Sequence, residues 1–256
     1  MHGHSLSTGD PLVTPAGYLA YLREQGVPPA ALEVAPVALI GWAGLGSALA
    51  RAAGGRRRRD WPYDAEWPYH EAAELGVTRL PTGAPAAAFL LDQLVAGGAR
   101  TLVTVGIAGS LVPGVPPGTV VVAGDAIAGD GTSSHYSSSG EQLLPASPGL
   151  ARDLAKALRA GGVEARIGTT WTTDAPFREV PAAVAAARAR GAVTVEMEAA
   201  AVYALAAHRE VAACAVLVVT DGVWDRWHPA FGTPAVRRAL DAVCRTLPRA
   251  TAEAVS

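Results

Sequence analysis

Five short apolar runs constrain this chain more than any other feature: "VALIG" (37–41), "TLVTVG" (101–106), "TVVVAG" (119–124), "ARIGTTW" (165–171) and "CAVLVVT" (214–220). All are too short for helices and read as strands buried on both faces, as in a mainly parallel sheet. Stretches of helical periodicity separate them, at 15–25, 45–53, 84–97, 148–160, 181–190, 196–208 and 233–247. Alternation of this kind predicts an α/β, three-layer sandwich with a central mixed, mainly parallel sheet flanked by helices. The 256 residues, half of them hydrophobic, suffice for one large domain with a substantial core.

Charge and cysteine content narrow the function. A formal net charge of −2 leaves no electrostatic footprint for nucleic acid or an anionic membrane. One local run, Arg56 to Arg59, reads as a solvated loop. Two cysteines, Cys214 and Cys244, allow neither a disulfide framework nor a zinc cluster, so no metal is expected. The start "MHGHSLSTGDPLV" has no apolar segment behind a basic one, and no later run reaches the length of a membrane span. A cytoplasmic protein is the expectation. The segment 54–76, with its WPY pieces, reads as irregular and as an interface, because its aromatic residues need something to pack on.

In open α/β sheets ligands bind beyond the carboxyl ends of the strands. After the first run comes "GWAGLG" (Gly41, Gly44, Gly46), after the second "GIAGS" (Gly106, Gly109, Ser110), and after the last "TDG" (Thr220, Asp221, Gly222). These read as two glycine turns, able to cradle an anion or simply to make tight connections, and one carboxylate, which could equally be an N-cap. The helix expected over 196–208 carries Glu196 and Glu198. Glu198 shares a face with Val202 and Leu205, so its carboxylate points where apolar side chains point and must find a partner. Glu196 is explained by the helix dipole.

"VTVEMEAAAVYALAAHREVAACAVLVVTD" resembles the signature helix and strand of the purine and uridine phosphorylase superfamily, which also includes nucleosidases for methylthioadenosine, adenosylhomocysteine and futalosine. "VGIAGSLVPGVPPGTVVVAGDAIAGDGTSSHY" (105–136) resembles its glycine loop and D-G-x-S-x-H-aromatic segment, and "GTTWTTDAPFRE" (168–179) its base-pocket segment. The resemblance covers residues 36–256 and leaves 1–35 as an N-terminal extension.

It implies cleavage of the N-glycosidic bond of a purine-type ribonucleoside. Glu198, Met197 and His135 would hold the ribose, and Phe177, Arg178, Thr220 and Asp221 the base. Asp221 would protonate the departing base, since a neutral purine leaves better than its anion. A carboxylate and a fixed orientation suit the oxocarbenium-like sugar left behind. Gly41, Gly106 and Ile107 would form the acceptor loop for phosphate or water. No cofactor is implied beyond inorganic phosphate as co-substrate, and a homo-oligomer, dimer or hexamer, is expected, with the stretch 61–69 as its apolar patch. Arg56 to Arg59, or the Tyr69/His70 pair, could be lent to a neighbouring site.

The departures concern the acceptor. Thr104, Ile107 and Leu45 stand where family phosphorylases carry an Arg, a Ser or Thr, and an Arg. A phosphate dianion would lose its bidentate guanidinium contacts. The hydrolytic branch places a Glu in the first loop, where "GWAGLGSALAR" has no carboxylate. Phosphorolysis therefore leads by family closeness. Hydrolysis and a nucleoside-binding protein that has lost catalysis are the alternatives.

Overall fold

All five runs form strands, and each strand outlasts its run at the C-terminal end. The structure, a computed structural model, describes residues 10–137 and 142–255. The chain begins with α1 (Pro15–Glu24), α2 (Pro29–Leu32), β1 (Val37–Trp42), α3 (Leu45–Ala52), β2 (Arg56–Arg57), β3 (His70–Ala72) and β4 (Leu75–Leu80). There follow α4 (Ala84–Ala96), β5 (Thr101–Ser110), β6 (Val120–Gly129), α5 (Ser133–Tyr136), β7 (Leu143–Pro145), α6 (Leu150–Ala160) and β8 (Ala165–Thr173). The last part is α7 (Pro181–Ala189), β9 (Ala192–Glu196), α8 (Ala199–His208), β10 (Ala212–Val223), β11 (Trp227–Pro229) and α9 (Pro234–Val255).

One half of the sheet is open: β1 lies parallel between β4 and β5, with β3 and β2 at the edge. The other half closes on itself. β5 pairs with β9, β9 with β8, β8 with β6, β6 with β10, and β10 again with β5. Register shifts at Val219/Asp221, Ala123/Asp125 and Thr169/Thr170 bend three of these strands, as bulges do where a sheet must turn a corner. One expected glycine turn and the segment read as its neighbouring carboxylate are therefore strand. "GIAGS" continues β5, with Gly106 opposite Leu217 and Gly109 opposite Asp221. Glycine is needed at 109 because β9 crosses there: a Cβ would come within 3.2 Å of Val195 Cγ1. "TDG" likewise lies inside β10, where Thr220 is the residue left unpaired at the bulge.

Helix α8 is buried along residues 199–206, as its alanine-rich sequence implies. Its Tyr203 hydroxyl donates to the Ala123 carbonyl (2.6 Å) and accepts from the Ala215 amide (3.0 Å), tying the helix to β6 and β10. Removing that hydroxyl would leave two buried backbone groups unpaired, at about 1–3 kcal/mol each. The expected helix start at 196 is corrected. Glu196 ends β9, and Glu198 is the N-cap of α8.

The stretch 61–69 packs in part on the chain itself. Trp61 and Tyr69 are buried in the chain's own core, and the Tyr69 hydroxyl accepts the Ala35 amide at 2.8 Å. Tyr69 is thus unavailable to a neighbour. Arg57 pairs with Asp64 (2.6 Å), Arg58 with Asp60 (3.0 Å) and Arg59 with Asp64 (3.7 Å), so three of the four arginines of the run are engaged within the chain. Residues before the expected domain start are also packed: Ala31, Leu32 and Ala35 are buried, and Tyr18 of α1 meets Phe89 of α4 edge-on at 6.0 Å. Among the described residues no helix is long and apolar enough to cross a membrane.

Candidate active site

The closed half of the sheet leaves a cavity of about 160 Å³ at the ends of β5, β9 and β10. Ile107 and Gly109 of β5 form one wall, Glu196 and Met197 a second, and Thr220 and Asp221 of β10 a third. Pro176 and Glu179, from the segment after β8, close it on the outer side. The bulge in β10 is what aims Asp221 inward, because it breaks the alternation that would otherwise turn successive side chains to opposite faces.

Both Asp221 oxygens accept a hydrogen bond. Thr220 Oγ1 donates to Oδ1 and Trp227 Nε1 to Oδ2, each at 2.9 Å. Thr220 is itself buried, with its hydroxyl beside the Ala108 carbonyl at 3.4 Å. Trp227, in the short strand after β10, therefore helps to hold the carboxylate in place. The neighbouring Trp224 instead stacks on His228 with ring centroids 4.4 Å apart, and His228 pairs with Asp225 at 2.6 Å.

Glu196 and Glu198 divide the work differently from the expectation. Glu196 accepts the Thr172 hydroxyl (2.5 Å) and the amides of Glu198 (2.8 Å) and Ala199 (2.7 Å), and Thr172 Oγ1 accepts the Ala200 amide at 2.9 Å. These bonds satisfy the leading amides of α8 from within the protein, leaving none of the three for an anion. Glu198 turns the other way and accepts the Gly83 amide at 2.6 Å, at the loop leading into α4. Burial raises the pKa of both carboxyls, and the charge of Glu196 raises Glu198 further. The three donors on Glu196 favour its ionised form, so Glu198 keeps the proton longer as the pair titrates together.

Glu179 was quoted within the base-pocket motif but given no role. It is half-buried, makes no hydrogen bond or ion pair with the described residues, and lines the cavity beside Asp221. Burial, assisted by the Asp221 carboxylate, pushes its pKa up to about 7.

The other expected residues are not brought to this cavity. Phe177 is 99% exposed and Arg178 is exposed, both on a single turn of 3-10 helix, Pro176–Arg178. Having no covering element in this chain, they face solvent. His135, on α5, lines a separate cleft of about 880 Å³ with Tyr18, Asp92 and Tyr136. The Asp130 and Asp174 segments do meet, through the Gly131 amide and Asp174 Oδ2 at 2.8 Å. Gly41 lies at the tip of β1, where the chain doubles back so closely that a Cβ would come within 2.5 Å of the Gly46 amide nitrogen. Gly106 lies inside β5, one residue before the cavity wall at Ile107, and Thr104 is buried below it. Among the described residues, no cation lines the cavity.

One cation stands next to the first glycine turn. Arg79 of β4 is the register partner of Gly41 and lines a neighbouring cavity of about 360 Å³ with Gly44, Ser47, Glu66 and His70. Nothing in the sequence singled it out, since β4, which begins as the segment read as irregular ends, was not recognised as a strand.

The α/β fold with its half-closed sheet is shared with solved structures of a nucleoside phosphorylase and a nucleosidase. Residues 70–248 match the phosphorylase superfamily, and the chain belongs to that family. It is 33% identical over 107 residues to a uridine phosphorylase of Thermococcus kodakarensis, covering 41% of this chain and 38% of that protein. It is 29% identical over 154 residues to a DeoD-type purine nucleoside phosphorylase of Exiguobacterium sibiricum, covering 59% and 65%. The matches thus span less than two thirds of either relative. In fold the chain is similar to Toxoplasma gondii purine nucleoside phosphorylase in complex with immucillin-H, with a TM-score of 0.75, 22% identity, and coverage of 87% and 92%. It is also similar in fold to AMP nucleosidase of Bacteroides thetaiotaomicron, with a TM-score of 0.69, 18% identity, and coverage of 90% and 96%.

Proposed function

We propose that this protein cleaves the N-glycosidic bond of a purine-type ribonucleoside, with phosphate as acceptor, giving the free base and ribose 1-phosphate. The observation that carries this reading is the convergence of Met197, Thr220 and Asp221 on one cavity, with Glu198 anchored next to it. Asp221 faces the base and Glu198 the ribose hydroxyls. Glu198 Oε1 is engaged by Gly83, and its second oxygen serves the sugar. Met197 packs against the ring. Phosphate is supported by the phosphorylase relatives and by Arg79, whose register beside Gly41 puts a guanidinium next to the turn that lacks one at Leu45.

Hydrolysis is the second reading. Ile107 and Thr104 leave the acceptor wall without a charge, and a neutral water needs none. A nucleoside-binding protein without catalysis rests on the same wall. Base release from a panel of adenosine, inosine and guanosine, with and without inorganic phosphate, separates the three. Release only with phosphate, yielding ribose 1-phosphate, is expected. Equal rates in phosphate-free buffer overturn phosphorolysis, and tight binding in calorimetry with no base released establishes the third reading.

A homo-oligomer, dimer or hexamer, belongs to the same proposal. Its support is Phe177, an exposed aromatic adjacent in sequence to the cavity-lining Pro176, which a neighbouring subunit would cover, and sedimentation tests it.

A further inference from the structure

Helix α8 is capped by the wrong residues. Its N-cap is Glu198, and an N-cap side chain ordinarily accepts the amide of the second or third helical residue. The Glu198 carboxylate makes no such bond and accepts the Gly83 amide instead, at 2.6 Å. Two other side chains do the capping. Glu196 Oε2 accepts the amides of Glu198 (2.8 Å) and Ala199 (2.7 Å), and Thr172 Oγ1 accepts that of Ala200, the second helical residue, at 2.9 Å. Thr172 also donates to Glu196 Oε1 at 2.5 Å, so a single hydroxyl ties the two caps together.

The strands bring this about. Thr172 on β8 is the register partner of Glu196 on β9, and two residues earlier Thr170 is the register partner of Thr194. Thr170, Thr172 and Thr194 are all fully buried, yet the hydroxyls of Thr170 and Thr194 have no hydrogen-bond partner among the described residues. Pairing of β8 with β9 therefore does not call for a threonine hydroxyl, and the one at Thr172 is set apart by serving α8.

We propose that Thr172 is a positioning residue for the ribose subsite: by capping α8 in place of Glu198, it leaves the Glu198 carboxylate to face the sugar. This rests on the reading of Glu198 as the ribose ligand of a nucleoside-cleaving enzyme. Thr172 does not line the cavity and acts only through Glu198. Without its hydroxyl the Ala200 amide is left buried and unpaired, a state costly enough to recruit another acceptor. The Glu198 carboxylate stands at the N-cap, where such an acceptor is supplied. Turning back to its own helix would withdraw it from Gly83 and from the sugar.

The test removes the hydroxyl and keeps the shape of the side chain. Thr172→Val is expected to lower kcat/KM on guanosine by about 10–10²-fold, the order of loss that follows a misplacement of about 1 Å. The loss should be smaller on 2′-deoxyguanosine, which lacks one of the hydroxyls that Glu198 serves. Made in a Glu198→Ala background, the same substitution should cost about twofold or less, because no carboxylate is left to misplace. Thr172→Ser should recover most of the activity, and Thr170→Val, at an equally buried threonine of the same strand, should leave the kinetics unchanged. Should Thr172→Val not fold, Thr172→Cys, with its weaker donor and acceptor, carries the same comparisons. Equal losses on the two nucleosides, or losses that multiply in full with those of Glu198→Ala, would mean that Thr172 serves only the stability of the fold and overturn the proposal. Wild-type kinetics in a folded Thr172→Val would refute the Thr172 role alone. A wild-type protein that releases no base from either nucleoside refutes the nucleoside reading itself, and the Thr172 role with it.

Discussion

At the ends of β9 and β10 the cleft presents Glu179, Glu196 and Asp221, each tied to a named donor or neighbour. Two residues nearer the start of β5 than Gly109, the same cleft is walled by Ile107, with Thr104 buried beneath it and Leu45 half-buried beyond. The first region is rich in groups whose protonation is set by burial and neighbouring charge. The second has no ionisable group at all. On the proposed function, the leaving group would be handled at the strand ends and the acceptor by groups brought from the side, among them Arg79. The contrast teaches that two halves of one reaction can be held by different parts of the fold, and lost or replaced independently.

The contrast can be broken at several points. The largest effect is expected from Asp221→Asn, which removes the carboxyl facing the base. Turnover of guanosine should fall by about 10²–10⁴-fold. A variant retaining wild-type rates would break the assignment of this end to the leaving group. Next in size, Glu198→Ala should lower kcat/KM by about 10–150-fold, the equivalent of about 1.5–3 kcal/mol for a hydrogen bond to a charged group. That loss should shrink on 2′-deoxyribonucleosides, which lack one of the hydroxyls.

Arg79→Ala probes the acceptor end. An increase of about tenfold in the KM for phosphate, worth about 1.4 kcal/mol, is expected, with little change in nucleoside KM. A variant with unaltered phosphate dependence would remove Arg79 from the acceptor site. The smallest effect concerns stability. Glu198 has its pKa raised by burial and by Glu196, so its contribution is fully present below the ordinary carboxylate value near 4.5 and is lost as pH rises through the raised one. The melting temperature should decline over that interval, by about 2–4 °C for each kcal/mol lost. Glu198→Gln, which cannot ionise, should flatten the decline.

Much of this was readable in the residues. The apolar runs located β1, β5, β6, β8 and β10, and the alanine-rich segment located a buried α8. The errors have identifiable physical causes. Glycines at 106 and 109 signal a turn locally, yet here both lie within β5 in a sheet that closes on itself, which no short-range pattern encodes. β4 escaped because "LGVTRL" mixes a glycine and an arginine into a short strand. α9 was expected to end before Pro248, and it continues because Leu247, Ala250 and Thr251 are buried on the same face, outweighing the lost hydrogen bond.

In the site, Glu198 was placed in phase with Val202 and Leu205 on a helix that in fact begins at Ala199, so its direction follows cap geometry rather than helical period. Glu196 looked dispensable because three-residue capping by a buried carboxylate depends on Thr172, 24 residues away. Glu179 drew no attention beside Phe177 and Arg178, since only the folded chain distinguishes the side chains that face solvent from the one that faces Asp221.

The hydrogen bond between Trp227 and Asp221 has an optical consequence. An indole that is 61% exposed while its nitrogen touches a carboxylate is poised to change emission whenever that carboxylate takes another partner. A base arriving at Asp221 competes for the same oxygen, so occupancy of the site should register as a change in tryptophan fluorescence. The protein thus carries its own binding gauge, one that reads the arrival of a ligand before any bond is broken.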